Sequence, residues 1–375
     1  MNFFQIIFIF PYFLCVKIIK EQLFVTYNSF SIHVTYEDLI GYGVIFDINI
    51  PFSYTVKFNY GNAPINNETK EIEIERTKCK ASYMKGLLKL SYSNQTIEDF
   101  SIYLVYPEGR YLKSSAFGLG YKNIEPEFSV LYHLYQKGLI DKLAFGIGMS
   151  KINEFGVDLY LGGFPKSLIK GTNYISLKVD DRFGKWGIEL REIFFGNETK
   201  DKFVNTFHAY LASDEDRVFA PSEFMHYINR NIFKEYYINR SCTFYEDRGS
   251  HYINCKCNTI HNFPPLKLVI GEYIINLSWE HSFIDLHRQN ICLFLIQTNF
   301  ENTEEWKFGL FFYNKYFTEF DVDNKKIILY SNTEFLSEKK FKINLQQGIL
   351  IIIIVLLLIL IVNFLLLSFV YYYRK

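Results

Sequence analysis

From Ile349 to Val370 the chain carries no charge, and only Asn363 and Ser368 interrupt its apolar residues. In hydrocarbon every backbone N–H and C=O must find a partner within its own segment, so such a run can leave water only as a helix. About 20 residues suffice to cross the membrane core, which predicts one C-terminal transmembrane helix at 349–370. Tyr371, Tyr372 and Tyr373 follow where an interfacial aromatic belt belongs, and Arg374 and Lys375 complete a cytosolic tail, 371–375. A buried core helix is the alternative, but a soluble core does not need so long an unbroken run.

Phe3 to Val16 form a second, shorter apolar stretch that holds Pro11 and is closed by Lys17 and Lys20. Its length suits the hydrophobic region of a signal peptide, read here as residues 1–20. No lysine or arginine precedes it and no clean small-x-small site follows, so a retained signal anchor is the alternative. With the C-terminal helix, this predicts a single-pass type I membrane protein of the secretory pathway or cell surface. Its large ectodomain would lie outside the cytosol.

The roughly 325 residues between these ends suffice for two lobes of ordinary domain size. Lys plus Arg and Asp plus Glu both number 40, with no basic stripe or tail, which argues against a nucleic-acid partner. Aromatic residues make up 19% of the chain, and with many Ile and Val they favour strands over helices. Short β-type runs separated by turn residues recur, among them Ser31–Thr35, Val44–Ile48, Ser53–Phe58, Glu71–Glu75, Leu87–Tyr92 and Ser101–Tyr106. The second half continues with Val157–Leu161, Tyr174–Val179, Gly187–Phe194, Leu266–Ile270, Ile291–Ile296 and Ile327–Tyr330. Helical spacing is clear only at Phe128–Lys137, which Gly138 stops, and at Pro221–Phe233. No Gly-rich phosphate loop, Gly-x-Ser-x-Gly elbow or His-Glu-x-x-His occurs, and no cofactor is implied.

Asn-x-Ser/Thr sequons at Asn67, Asn94, Asn197, Asn239 and Asn276 fit a glycosylated ectodomain. Cys15 would leave with a signal peptide, so Cys79, Cys242, Cys255, Cys257 and Cys292 remain. An oxidising compartment predicts two bridges and one cysteine left over. The competing reading is zinc on His251, Cys255, Cys257 and His261, although that spacing matches no common zinc module.

The order of signals from about Phe24 to Tyr330 resembles the pepsin-like aspartic peptidases. Trp306-Lys-Phe-Gly309, Phe312, Tyr313, Tyr316-Phe317, Phe320-Asp321 and Asn324-Lys-Lys326-Ile-Ile-Leu are similar, without a gap, to that family's closing elements. Upstream, Ser115-Ala-Phe-Gly118-Leu-Gly120-Tyr121 resembles its Gly-rich turn, and Leu131–Phe145 resembles the helical segment that follows. Leu159-Tyr-Leu-Gly162-Gly163 and Trp186-Gly-Ile-Glu-Leu190 resemble two of its strands. The resemblance implies an all-β, bilobal fold with pseudo-two-fold symmetry, an N-terminal lobe at 21–165 and a C-terminal lobe at 166–335. A polar linker, 336–348, would lead to the membrane helix. It further implies a Cys257–Cys292 disulfide; of the remaining cysteines, Cys242 and Cys255 are read as the second pair, with Cys79 left over.

Such a peptidase needs two carboxylates a few ångströms apart that share one proton, the ionised one activating a water. Each sits in an Asp-Thr/Ser-Gly loop, where Gly permits close backbone approach and the hydroxyls lock the loops together. Val44-Ile-Phe46-Asp47 is similar to the family's lead-in, placing Asp47 at the first catalytic position. Ile48-Asn49-Ile50 then replaces the hydroxyls and Gly. Counting back from Pro221, Ala212-Ser213-Asp214-Glu215 falls on the second loop, so Ala212 holds the place of the second aspartate. Asp214, two residues on, is the substitute carboxylate if the register slips. The substrate-covering hairpin is altered too, with Cys79 near the position of its tyrosine.

These losses predict a non-catalytic, membrane-anchored homologue that binds a peptide or protein between its lobes, with no metal. The alternative is an active aspartic endopeptidase using Asp47 with a carboxylate from Asp214–Asp216.

Overall fold

Alternating apolar runs with β-branched and aromatic side chains bury one face when they pair, and here they pair into three sheets. A computed structural model of the chain describes residues 17–337, except 27–28, 37–38, 48–52, 57–68, 75–76, 91, 107–115, 122–124, 150–156, 197–201, 214–216, 248–249, 287–289, 299–304 and 333–335. The fold is mostly β with a few short helices. No helix among the described residues is long and apolar enough to cross a membrane, and the run 349–370 lies outside them, as do residues 1–16.

The largest sheet carries a duplication at one end. Ile19–Thr26 pairs antiparallel with Val157–Leu161, which pairs antiparallel with Ala144–Met149. In the second half, Asn173–Lys178 pairs antiparallel with Lys326–Ser331, which pairs antiparallel with Phe317–Asp321. Each half thus contributes a leading strand laid against its own closing hairpin. The two triplets meet where Ala144–Met149 pairs antiparallel with Phe317–Asp321, Gly146 opposite Glu319. The order within six consecutive strands is therefore the same read from either end.

An aromatic cluster backs this junction. Phe145 and Phe320 stack at 4.6 Å, and the fully buried Trp186 lies edge-on to both, at 5.8 and 5.0 Å. Tyr121 packs on Trp186 at 4.6 Å, and its hydroxyl donates to Asp181 Oδ1 at 2.9 Å, joining the two halves again. Burial, then that hydrogen bond, raises the Tyr121 phenol well above its usual range.

The opposite face holds buried charge. Glu319, 2% exposed, is ion-paired with Lys142 and accepts from Tyr330 Oη at 3.2 Å. Asp158, 4% exposed, pairs with Lys20 Nζ at 2.8 Å and accepts from Tyr160 Oη at 3.2 Å. Gly148 is obligatory here, since a Cβ would stand 1.9 Å from Phe317 Cδ1.

Both predicted helices form, as Val130–Gln136 and Ser222–Asn231. Ser129 caps the first with its side chain, and Gly138, at φ +64°, ends that turn. Ile19 is buried and lies with Lys20 in the first strand, Ile19–Thr26, so that strand begins two residues ahead of position 21.

This generates a test. Lys20→Ala strands the buried Asp158 carboxylate and should cost about 2 kcal/mol, somewhat less than a fully buried pair because Lys20 is partly exposed. Urea unfolding of the purified chain should show the lowered midpoint. A chain trimmed to begin at Glu21 should show at least as large a drop.

Candidate functional site

Two strand junctions, one per half, share a build. In the first, Leu39–Asp47 runs parallel to Ala116–Gly118, with Ile45, Phe46 and Asp47 opposite Ala116, Phe117 and Gly118. Tyr54–Val56 joins it, antiparallel to Ala116–Gly118 and parallel to Thr96–Tyr106. In the second, Lys202–Leu211 runs parallel to Trp306–Phe308, with Ala209, Tyr210 and Leu211 opposite Trp306, Lys307 and Phe308. Val218–Phe219 joins it, antiparallel to Trp306–Phe308 and parallel to Ile296–Gln297.

Registers convert this likeness into residue equivalences. Matching Ala116-Phe117-Gly118 to Lys307-Phe308-Gly309 sets Asp47, opposite Gly118, against Ala212, one step beyond the Leu211/Phe308 pair. The Ala212 N–H donates to the Phe308 carbonyl at 2.8 Å, continuing that ladder. The antiparallel partners agree. Tyr54 faces Ala116 and Phe219 faces Lys307, each seven residues beyond Asp47 and Ala212 respectively. Ala212 and Ser213 are both fully buried. Residues 48–50, Asp214, Glu215 and Asp216 lie outside the described residues, as does the side chain of Asp47.

The two Gly turns are held differently. Gly118 N–H donates to the hydroxyl of buried Ser53 at 3.3 Å, whereas Gly309 N–H donates to the Arg217 carbonyl at 3.0 Å. The Arg217 guanidinium reaches on to Gln297 Oε1 at 2.8 Å, in the strand beside Val218–Phe219. Sequence reading did not single out Ser53, Arg217 or Gln297. No common spacing marks them, and only the pairing reveals what they hold.

The hairpin near this site is Lys70–Ile74 with Thr77–Leu90, and Ile74 faces Thr77 where the paired arms close. Cys79 lies on the returning strand opposite Ile72, buried beside Tyr103, Val105 and Phe128. The hairpin base is fastened by Lys70, whose Nζ lies 2.6 Å from Glu125 Oε1. Tyr103 Oη donates to Glu125 Oε2 at 2.8 Å while its ring stacks on Phe128 at 3.9 Å. Burial, then the bond to Glu125, raises the Tyr103 phenol far above its usual range and keeps it protonated.

Both expected disulfides are present, Cys242–Cys255 and Cys257–Cys292, and Cys79 takes part in neither. The zinc reading on His251, Cys255, Cys257 and His261 falls with them, since both sulfurs are bonded. His261 packs on Trp279 and His251 on Phe244 instead. Of the sequons, Asn94, Asn239 and Asn276 are exposed, while Asn67 and Asn197 lie outside the described residues.

A family model described as eukaryotic aspartyl protease matches residues 113–331, more than half of the chain. The chain belongs to that family. Among curated proteins none matches it.

Tyr103→Phe keeps the ring stacked on Phe128 but removes the donor to Glu125. It should cost about 1 kcal/mol of stability. Hydrogen exchange should show faster opening in Lys70–Ile74 than in Asn173–Lys178, which this contact does not touch.

Proposed function

We propose that this member of the aspartyl protease family is a non-catalytic binding protein, anchored by the helix at 349–370 on the luminal or outer side of a secretory-pathway or surface membrane. It holds an extended peptide or a segment of a partner protein between lobes 21–165 and 166–335. The reading rests above all on the register that sets Asp47 against Ala212.

The chemistry of the loss is direct. A paired site works because two carboxylates share one proton, the ionised one drawing a proton from water while the neutral one polarises the carbonyl. A methyl group can do neither. With only one carboxylate in the pair of places, no acid would remain to donate while Asp47 acts as base. Asn49, where the first loop needs Gly, and Asp214, where the second does, add side chains at positions of close backbone approach. The scaffold that would bracket an extended chain is meanwhile retained in both halves.

The competing reading is an active endopeptidase that pairs Asp47 with Asp214 or Asp216. Purified full-length protein, incubated with an unfolded substrate at about pH 3–6, should release no fragments. Cleavage abolished by a transition-state peptide inhibitor would restore the endopeptidase. Asp47→Asn should leave stability and any peptide affinity nearly unchanged. Ala212→Asp alone should create no inhibitor-sensitive cleavage, because both Gly positions remain occupied. Truncation before Gly348 should release a glycosylated protein into the medium, whereas retention in the membrane fraction would make the N-terminal stretch an uncleaved anchor.

A further inference from the structure

Four cysteines crowd one face of a small sheet in the C-terminal half. Cys242, on Cys242–Asp247, stands directly opposite Cys255, on Ser250–Lys256, with Cα atoms 4.0 Å apart, and the two are bridged. On its other side Cys255 stands directly opposite Cys292, on Ile291–Phe294. Directly opposed residues share a sheet face, and so do residues two apart on one strand. Cys257 continues the ladder past Cys255, its N–H donating to the Asn290 carbonyl at 3.1 Å, and it is bridged to Cys292 along a diagonal with Cα atoms 5.0 Å apart. Cys292 therefore has one sulfur bonded to it and another, that of Cys255, in the facing position.

The four differ in access. Cys242, Cys255 and Cys292 are 5%, 3% and 4% exposed, while Cys257 is partly open to solvent. The Asp285 carboxylate, on the fourth strand Phe283–Asp285, faces Cys292 and lies within 4.8 Å of both sulfurs of the Cys257–Cys292 bridge. A thiolate beside a carboxylate is disfavoured, so charge released on Cys292 is favoured to move on.

We infer that Cys257 is a thiol-acceptor site and that Cys255 and Cys292 relay the exchange to Cys242. The thiolate of a low-molecular-weight monothiol attacks Cys257 Sγ, the bond to Cys292 breaks, and Cys292 leaves as thiolate. That thiolate attacks Cys255 Sγ, the bond to Cys242 breaks, and Cys242 leaves as thiolate and takes up a proton. Two disulfides enter and two remain, the mixed disulfide on Cys257 and a new Cys255–Cys292 bridge, so no oxidant or reductant is consumed. The relay swaps a bridge between the first two strands for one between the second and third. It is independent of whether the chain cleaves peptides.

Trypsin tests this well, because Arg248, Lys256, Lys267 and Arg288 place the four cysteines on separate peptides. The purified full chain is treated with limiting glutathione, quenched in acid, alkylated and mapped without reduction. Each glutathionylated Cys257 should be matched by one alkylated Cys242 and one Cys255–Cys292 peptide pair. Glutathionylated Cys257 with alkylated Cys292 and an intact Cys242–Cys255 bridge would overturn the relay, as would no modification of Cys257. Cys242→Ser offers a second route, leaving a thiol on Cys255 with no added reagent. That variant should contain both Cys255–Cys292 and Cys257–Cys292 pairs, and finding only the latter would count against the relay. The wild-type map decides the question even if the variant does not fold.

Discussion

The antiparallel pairing of Ala144–Met149 with Phe317–Asp321 is the contact on which the two halves depend for acting as one body. Each half brings a closing hairpin whose outer strand would otherwise be a bare edge, ready to pair with another chain. Joining the edges satisfies both and puts Phe145, Phe320 and Trp186 into a common core. The buried Glu319, paired with Lys142 from the other half, adds a charged contact across the same line. Such an ion pair is weak evidence for added stability, but removing either partner leaves a charge without compensation, so it constrains which halves fit together.

From that junction the remainder follows in two copies. Each half sends a strand toward the middle, lays it parallel to a short strand that reaches Gly118 or leads into Gly309, and sets a third strand antiparallel on the far side of the short one. The copies have diverged where chemistry resides and not where packing does. Phe117 and Phe308 are both buried at matched positions, whereas the residues opposite the two Gly turns are an aspartate and an alanine.

Much of this was legible from residues alone. The closing segment Trp306–Leu329 has its aromatic and Gly residues at family spacing because each meets a fixed neighbour, Trp306 against Phe224 and Phe320 against Phe145. Disulfide partners were legible for the same reason, since a bridge ties two positions of one scaffold. The hairpin register was not, because a strand pair can slide by two residues without changing which face its side chains occupy, and only arm pairing reveals it. Ile19 and Lys20 lie in the first strand, and an apolar leader and a strand look alike in sequence until the partner, Asp158, is known. The turn contacts of Ser53 and Arg217 were equally hidden, being made by a side chain in one copy and by a carbonyl in the other.

The proposed absence of a second carboxylate is physically compatible with a retained scaffold. Two carboxylates held close enough to share a proton repel when both ionise, and keeping one neutral near neutral pH is a cost borne by the fold. Active sites retain such strained arrangements because function requires them, and stability gains when they are lost. On that reading Ala212, a small apolar group that is fully buried, takes the place of a second aspartate, and the repulsion is absent. The junction strands, the aromatic core and the disulfides are built from contacts that need no such carboxylate.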